Sequence, residues 1–252
     1  MPLVLSEPAA RVVQITIDQQ DKMNAMSRAM MAELCEIWDR LDSDPGCRAV
    51  VLTGAGERAF CAGADLSGDL EATAELAATV NKSLLKLTPF SKPIVAAVNG
   101  VCAGGGIEYL LATDIRFAAE HARFGLPEVK WGVYPFGGAA TKLVRQIGYV
   151  HTMDLILTAR LISAVEAKEI NLINKVLPAG EVLHRAIETA SLIAANSPSA
   201  VQAVRTQISS MMTSDASLHE ERDQQLGDAV RAGADFQEGV AAFNEKRTPN
   251  YG

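Results

Sequence analysis

The chain has 252 residues, 48% of them hydrophobic and 21% charged, with a formal net charge of −7. This is the make-up of an ordinary globular protein large enough for one full core, and its 19 glycines exclude a collagen-like or low-complexity reading. A nucleic-acid binder carries a basic surplus and this chain the reverse, so any polyanionic ligand must be held by a few local cations.

Leu3–Leu5 and Val12–Ile17 read as strands, the second alternating and β-branched. Gln19–Asn24 is a polar turn. Ser27 caps a helix to about Leu41, with Met30, Met31, Leu34, Ile37, Trp38 and Leu41 at helical spacing. Asp44-Pro45-Gly46 ends it. Ala49–Leu52 is a short buried strand followed by a loop over Thr53–Ala64. A helix from about Asp69 to Leu87 leads to a second buried strand, Ile94–Val98. Gly104–Gly106 opens a helix to about Thr113, Ile115–Ala118 is a third strand, and Phe124–Pro135 is loop-rich. From Gly137 the pattern is nearly all helix, interrupted by a strand at Ile173–Leu177. Strand-rich units alternating with helices suggest repeated ββα turns in an α/β fold. The one plausible boundary is Asn196-Ser197-Pro198, where Pro198 suits the first position of a new helix. That divides the chain into a core over residues 1–195 and a helical region over residues 196–252.

Cys35, Cys47, Cys61 and Cys102 stand singly, so reduced thiols are expected. His121, His151, His184 and His219 are isolated too, and no metal site is expected without clustered N and S ligands. The N-terminus lacks a charged n-region and a long h-region, and no apolar run approaches the ~20 residues of a membrane span. The expected location is cytoplasmic, with no nucleic-acid or membrane partner.

Four segments are candidates for chemistry. Gly54-Ala55-Gly56-Glu57-Arg58-Ala59 follows a strand and fits the G-x-G-x-x-A dinucleotide fingerprint. That fingerprint needs a helix starting within the glycines and an acidic residue about 20 positions on. The run continues instead as Phe60-Cys61-Ala62-Gly63-Ala64, poor helix material, so a tight loop is the better reading. Ala103–Glu108 places three glycines at the mouth of a helix, where backbone N–H groups and the dipole suit an oxyanion. Glu108, three residues past Gly105, faces the same side. Close packing of a helix on a strand explains these residues equally well. In Phe60–Leu66 small residues crowd a loop after a strand, either to present N–H groups or as a plain turn with Asp65 as a cap. Glu128 in Phe124–Glu128 has apolar neighbours, which raise a carboxylic pKa. Taken alone, it reads more simply as a solvated loop glutamate.

Together these segments resemble the enoyl-CoA hydratase/isomerase (crotonase) family. Asp21–Ala25 is similar to its K-x-N-A turn, Ala59–Leu66 to A-F-x-A-G-A-D-L, and Asn99–Glu108 to N-G-x-x-x-G-G-G-x-E. Phe124–Pro135 is similar to F-x-x-P-E-x-x-x-G-x-x-P, Leu161–Leu172 to I-x-A-x-E-A-x-x-x-G-L with Asn171 in place of Gly, and Phe236–Pro249 to the closing E-G-x-x-A-F-x-E-K-R-x-P. All occur in the family's order across most of the chain.

The resemblance implies a spiral of ββα turns with a C-terminal helical region for trimerisation, giving a homotrimer or a dimer of trimers. It implies an oxyanion hole from the backbone N–H groups of Ala64 and Gly105, and acid/base roles for Glu108 and Glu128. Lys22, Ala25, Ala62, Asp65 and Leu66 would lie along the CoA. Phe243 and Lys246 match positions that reach a neighbour's CoA. The implied reaction is hydration of a 2-enoyl-CoA thioester, with no cofactor beyond the CoA of the substrate. Two N–H donors would stabilise the enolate, with Glu108 orienting water at C3 and Glu128 exchanging a proton at C2 as a coupled pair. Hydratases of the family have Gly after the proline of the fourth motif, where this chain has Phe136. That substitution, with Trp131 and Tyr134 nearby, is expected to shape the acyl pocket. Isomerisation, dehydration of a specialised hydroxyacyl-CoA, and non-catalytic acyl-CoA or acyl-carrier binding are the competing readings.

Overall fold

The structure, a computed structural model, describes residues 2–65 and 73–252. Strands β1 (Leu3–Ala9) and β2 (Val12–Ile17) pair antiparallel. Helix α1 (Arg28–Ser43) starts where Ser27 Oγ accepts a hydrogen bond from the Met30 N–H at 3.3 Å, relieving one of the unpaired donors of the first turn. Its buried face is the expected Met30, Met31, Leu34, Ile37, Trp38 and Leu41, joined by Cys35. There follow β3 (Ala49–Gly54), β4 (Ala59–Cys61) and α2 (Ala74–Ser83), then β5 (Ile94–Val98), β6 (Val101–Ala103) and α3 (Gly105–Leu110). A third pair, β7 (Ile115–Ala119) and β8 (Arg123–Gly125), leads into a 3-10 turn over Pro127–Trp131 and a π-helical turn over Ala139–Leu143. The remainder is α4 (Val144–Ile147), α5 (Tyr149–Thr158), β9 (Ile162–Ser163), α6 (Ala164–Glu169), β10 (Lys175–Leu177), α7 (Ala179–Ala195), α8 (Pro198–Arg231) and α9 (Ala234–Glu245).

In each of the pairs β3/β4, β5/β6 and β7/β8 the first strand joins one sheet and the second another, which is the spiral of ββα turns. The six-stranded sheet has the order β1-β2-β3-β5-β7-β10, parallel from β2 onward. Its central strands, Ala-Val-Val-Leu and Ile-Val-Ala-Ala-Val, are apolar without alternation because both faces are covered. Helix α7 covers part of it, approaching through Val182, Ala186, Ala190 and Ala194. The four-stranded sheet has the order β4-β6-β8-β9, with β4, β6 and β8 parallel. Among the described residues no helix is long and apolar enough to cross a membrane.

Several expectations are corrected. Of the second sheet, β4 and β8 fall in segments read as loop, β6 in one given no element and β9 in one read as helix, since two or three residues show no periodicity. Of the helix expected over Asp69–Leu87, residues 69–72 lie outside the described residues; the rest starts at Thr73, which caps Leu76 N, and ends before Leu85 turns left-handed at φ 47°. The glycine-opened helix is shorter than expected, and the late strand begins at Lys175, not Ile173. The Gly54-x-Gly56 run turns directly into β4, so the helix a dinucleotide site requires is missing there. Asn171, standing for the family's Gly, takes a left-handed φ of 63°, which Asn tolerates better than most side chains. Pro198 opens α8 as expected.

Candidate active site

The register of the second sheet builds the site. Cys61 pairs with Cys102 across β4 and β6, and Cys102 and Ala103 pair with Phe124 and Gly125 of β8. The residues that follow these strands, Ala62–Asp65, Gly104–Gly105 and Leu126–Glu128, therefore emerge side by side at the carboxyl edge, where parallel sheets bind ligands. Segment 22–26 covers this edge: the Ala62 N–H donates to Met23 O at 3.1 Å and the Met26 N–H to Gly63 O at 2.8 Å.

Two backbone donors meet here. Met26 pairs with Ala64 in a parallel bridge, using Gly63 O and the Asp65 N–H as its partners. That geometry leaves the Ala64 N–H outside the ladder. Gly105 is the first residue of α3, so its N–H has no intrahelical acceptor. A Cβ on Gly105 would sit 3.5 Å from the Ala64 nitrogen, and one on Gly63 3.1 Å from the Gly105 nitrogen. Glycine at both positions keeps the two donors adjacent and reachable.

The glutamates converge on the same place. Glu108, 7% exposed, accepts a hydrogen bond from the Ala139 N–H at 3.3 Å. Burial raises its pKa to about 7, while the Ala139 N–H, the Lys86 charge and the Gly137 N–H lower it. Glu128, on the 3-10 turn, lies with Oε1 3.2 Å from where a Cβ on Gly104 would be. Its Oε2 is buried with no hydrogen-bond partner among the described residues. Burial, then repulsion from Glu108, raises its pKa to about 8. Both carboxyl groups are thus held above the ordinary glutamate range and titrate as one coupled pair.

Among the other expected residues, Lys22 and Asp65 form an ion pair at 2.7 Å. Ala25 is buried and donates its N–H to Lys22 O at 3.1 Å, and Ala62 lies on the facing segment. Leu66 lies outside the described residues. The Phe136 ring turns to α8, where the Arg231 guanidinium stands 5.6 Å above it. It borders a cavity of about 940 Å³ between α2 and α8, lined also by Leu76, Val80 and Gln224. Phe243 and Lys246 belong to the end of α9, which packs against the turn carrying Glu128; the Phe243 ring meets Trp131 edge-on at 5.2 Å.

Sequence reasoning missed two supports. Buried Asn24 ties the turn to the β3–β4 loop, donating to Ala59 O at 2.6 Å and to Ala55 O at 3.0 Å. Its signal was a polar residue between two apolar ones, at a left-handed φ of 57°. Gly137 was the other, since a Cβ there would fall 2.1 Å from Glu108 Oε2.

The family model described as enoyl-CoA hydratase/isomerase matches residues 7–252. The enoyl-CoA hydratase EchA19 of Mycobacterium tuberculosis is 42% identical to this chain over 257 residues, 99% of this chain and 96% of that protein. A solved enoyl-CoA hydratase/isomerase from Pseudoalteromonas atlantica T6c superposes with a TM-score of 0.90 at 29% identity, covering 100% of both chains. The carnitinyl-CoA hydratase of Mycobacterium avium superposes with a TM-score of 0.90 at 35% identity, covering 99% of this chain and 98% of that one.

Proposed function

The chain belongs to the enoyl-CoA hydratase/isomerase family, and on that footing we propose that it adds water across the 2,3 double bond of a 2-enoyl-CoA. The observation that supports this reading is a pair of buried, mutually repelling carboxyl groups, Glu108 and Glu128, with Glu128 Oε1 close to Gly104, beside the adjacent N–H groups of Ala64 and Gly105.

The thioester oxygen accepts from both N–H groups, which bind it more strongly as it takes on enolate charge; one such donor is worth ~10²–10³ in rate. Within the coupled pair Glu108 acts as the carboxylate: it orients the water and takes its proton as the oxygen bonds to C3. The π electrons move onto the thioester as enolate, and Glu128, the protonated partner, delivers its proton to C2. One proton is taken and one given, so transfer between the two glutamates restores the starting state. Lys22, Ala25, Ala62 and Asp65 flank the CoA. The assembly is a homotrimer or a dimer of trimers, in which Phe243 and Lys246 reach a neighbour's CoA.

Dehydration of a specialised hydroxyacyl-CoA is the second reading, favoured by the likeness to a carnitinyl-CoA hydratase and by the ring of Phe136 at the α2–α8 cavity. A panel of 2-enoyl-CoAs of increasing length tests the proposal through loss of the conjugated thioester absorbance, with hydroxyacyl-CoAs assayed in reverse. Binding of acyl-CoA without turnover of any member would overturn it and leave a non-catalytic acyl-CoA binder. Conversion of 3-enoyl-CoA alone would make the chain an isomerase.

A further inference from the structure

Two lysines are buried beside the site, and neither is needed for the proton transfers. Lys86, 1% exposed, sits just past the end of α2 and places its ammonium group among three oxygens. It donates to Phe136 O at 2.5 Å and to Asp223 Oδ2 at 2.6 Å, and stands 2.6 Å from Glu220 Oε2. Asp223, 3% exposed, accepts also from the Tyr134 hydroxyl at 2.6 Å, and the Asn81 amide donates to the other oxygen of Glu220 at 2.7 Å. Lys142, in the π-helical turn, donates to Leu85 O at 2.7 Å. Burial lowers its pKa to about 8.

The two bonds cross. Lys86 runs from the end of α2 to the backbone at residue 136, and Lys142 runs from the π-helical turn back to the backbone at residue 85. Between the two anchored points lie Gly137, which leaves room for the Glu108 carboxylate, and Ala139, whose N–H it accepts. Apolar residues of similar volume would hold a core at least as well as a buried ion-pair network. What the lysines add is direction: each fixes one named carbonyl. We propose that Lys86 and Lys142 are positioning residues, a crossed clamp that holds residues 136–142 against Glu108, with Asp223 and Glu220 of α8 as the counter-ions that keep Lys86 in place. A displacement of ~1 Å at a catalytic group can cost ~10² in rate, so the clamp acts on turnover, not on binding. Its catalytic consequence rests on the hydratase reading; the clamp itself does not.

Two variants test it. Lys142→Met removes the bond to Leu85 O and breaks no ion pair among the described residues; it also removes a positive charge felt at Glu108, so turnover is compared at each protein's own pH optimum. The triple change K86M/E220Q/D223N replaces the α8 network by uncharged groups of similar size, so no buried charge is orphaned. In each, hydrogen exchange of the peptide covering residues 136–142 is expected to quicken at least ~10-fold while that of β3 and β5 is unchanged. Turnover of the best 2-enoyl-CoA is expected to fall at least ~10-fold with KM within ~3-fold. The combined variant is expected to lose less than the product of the two losses, because both hold one segment. Unchanged exchange overturns the clamp. Faster exchange with turnover within ~2-fold of the parent, or a loss confined to KM, overturns its catalytic role. If the triple variant does not fold, Lys142→Met alone decides. If the parent protein turns over no enoyl-CoA, the hydratase reading fails, and the exchange measurement still decides the clamp.

Discussion

Replacing Glu128 by Gln separates what this side chain does for the reaction from what it costs the fold. Its Oε2 is buried with no hydrogen-bond partner among the described residues. Burial, then the Glu108 charge, moves its pKa from 4.5 to about 8. A carboxyl group raised in this way holds its proton more tightly in the folded chain than in the unfolded one. Its contribution to stability is therefore complete below the unfolded pKa and is lost as pH rises through the folded one. At ~1.36 kcal/mol per unit, the rise from 4.5 to about 8 sets a ceiling of about 4–5 kcal/mol at alkaline pH. Glu108 shares the proton, and the protein relaxes around the charge, which leaves roughly 1–2 kcal/mol. Glutamine has the same shape and cannot ionise. The variant is thus expected to melt roughly 2–8 °C above the parent near pH 9 and level with it near pH 5. At the same time kcat should fall by at least ~10², with affinity for a saturated acyl-CoA retained. Circular-dichroism melts at three pH values and steady-state turnover measure both effects. An equal or lower melting temperature near pH 9 would refute the burial argument. Unchanged turnover would remove Glu128 from the chemistry.

Gly137→Ala would put a methyl group 2.1 Å from Glu108 Oε2 and 2.5 Å from Leu84 Cδ1. Turnover is expected to drop ~10²-fold and stability by about 1–3 kcal/mol, read from kcat and urea melts; near-parent turnover would show that the Glu108 carboxylate can move aside without loss. Ala64→Pro deletes one N–H donor while leaving the two hydrogen bonds of Met26 in place; kcat should fall ~10²–10³-fold, and a fall under ~3-fold would put the oxyanion elsewhere. The pH profile of kcat/KM should rise through about 7, as Glu108 ionises, and fall through about 8, as Glu128 loses its proton. A profile flat from about pH 5 to about pH 9 would rule out the shared-proton pair.

What could be read from the chain ahead of its structure depended on range. Helix α1 was legible because Ser27 and six apolar residues at helical spacing are all local signals. β3 and β5 were legible because a strand covered on both faces is an unbroken apolar run. β4, β6 and β8 were not, since each has three residues and owes its existence to pairing with the next. Yet the register of those strands brings Ala64, Gly105 and Glu128 together. On local evidence close packing explained Glu108 as well as chemistry did, and Glu128 read as a solvated loop glutamate; only the order of the motifs linked them. Lys86 and Asp223, 137 positions apart, left no trace in the sequence, because an isolated lysine ordinarily signals a solvated surface.

Phe136 sharpens the point about what glycine is needed for. The resemblance placed a Gly at 136, so Phe136 read as an intrusion toward the substrate. In the fold its ring lies under the Arg231 guanidinium of α8 and borders the α2–α8 cavity, while its carbonyl accepts from Lys86. The position that tolerates no side chain is the next one, where any Cβ would enter the Glu108 carboxylate, and the following residue, Gly138, has a φ of 116°. The space that the Glu108 carboxylate occupies is thus kept open by Gly137. Residue 136 is free to vary provided its carbonyl reaches Lys86. A ring there costs the proton chemistry nothing and furnishes one wall of the α2–α8 cavity. Phe136→Gly should therefore leave turnover of the shortest enoyl-CoA within ~3-fold while shifting preference toward bulkier acyl groups, since only the wall is removed.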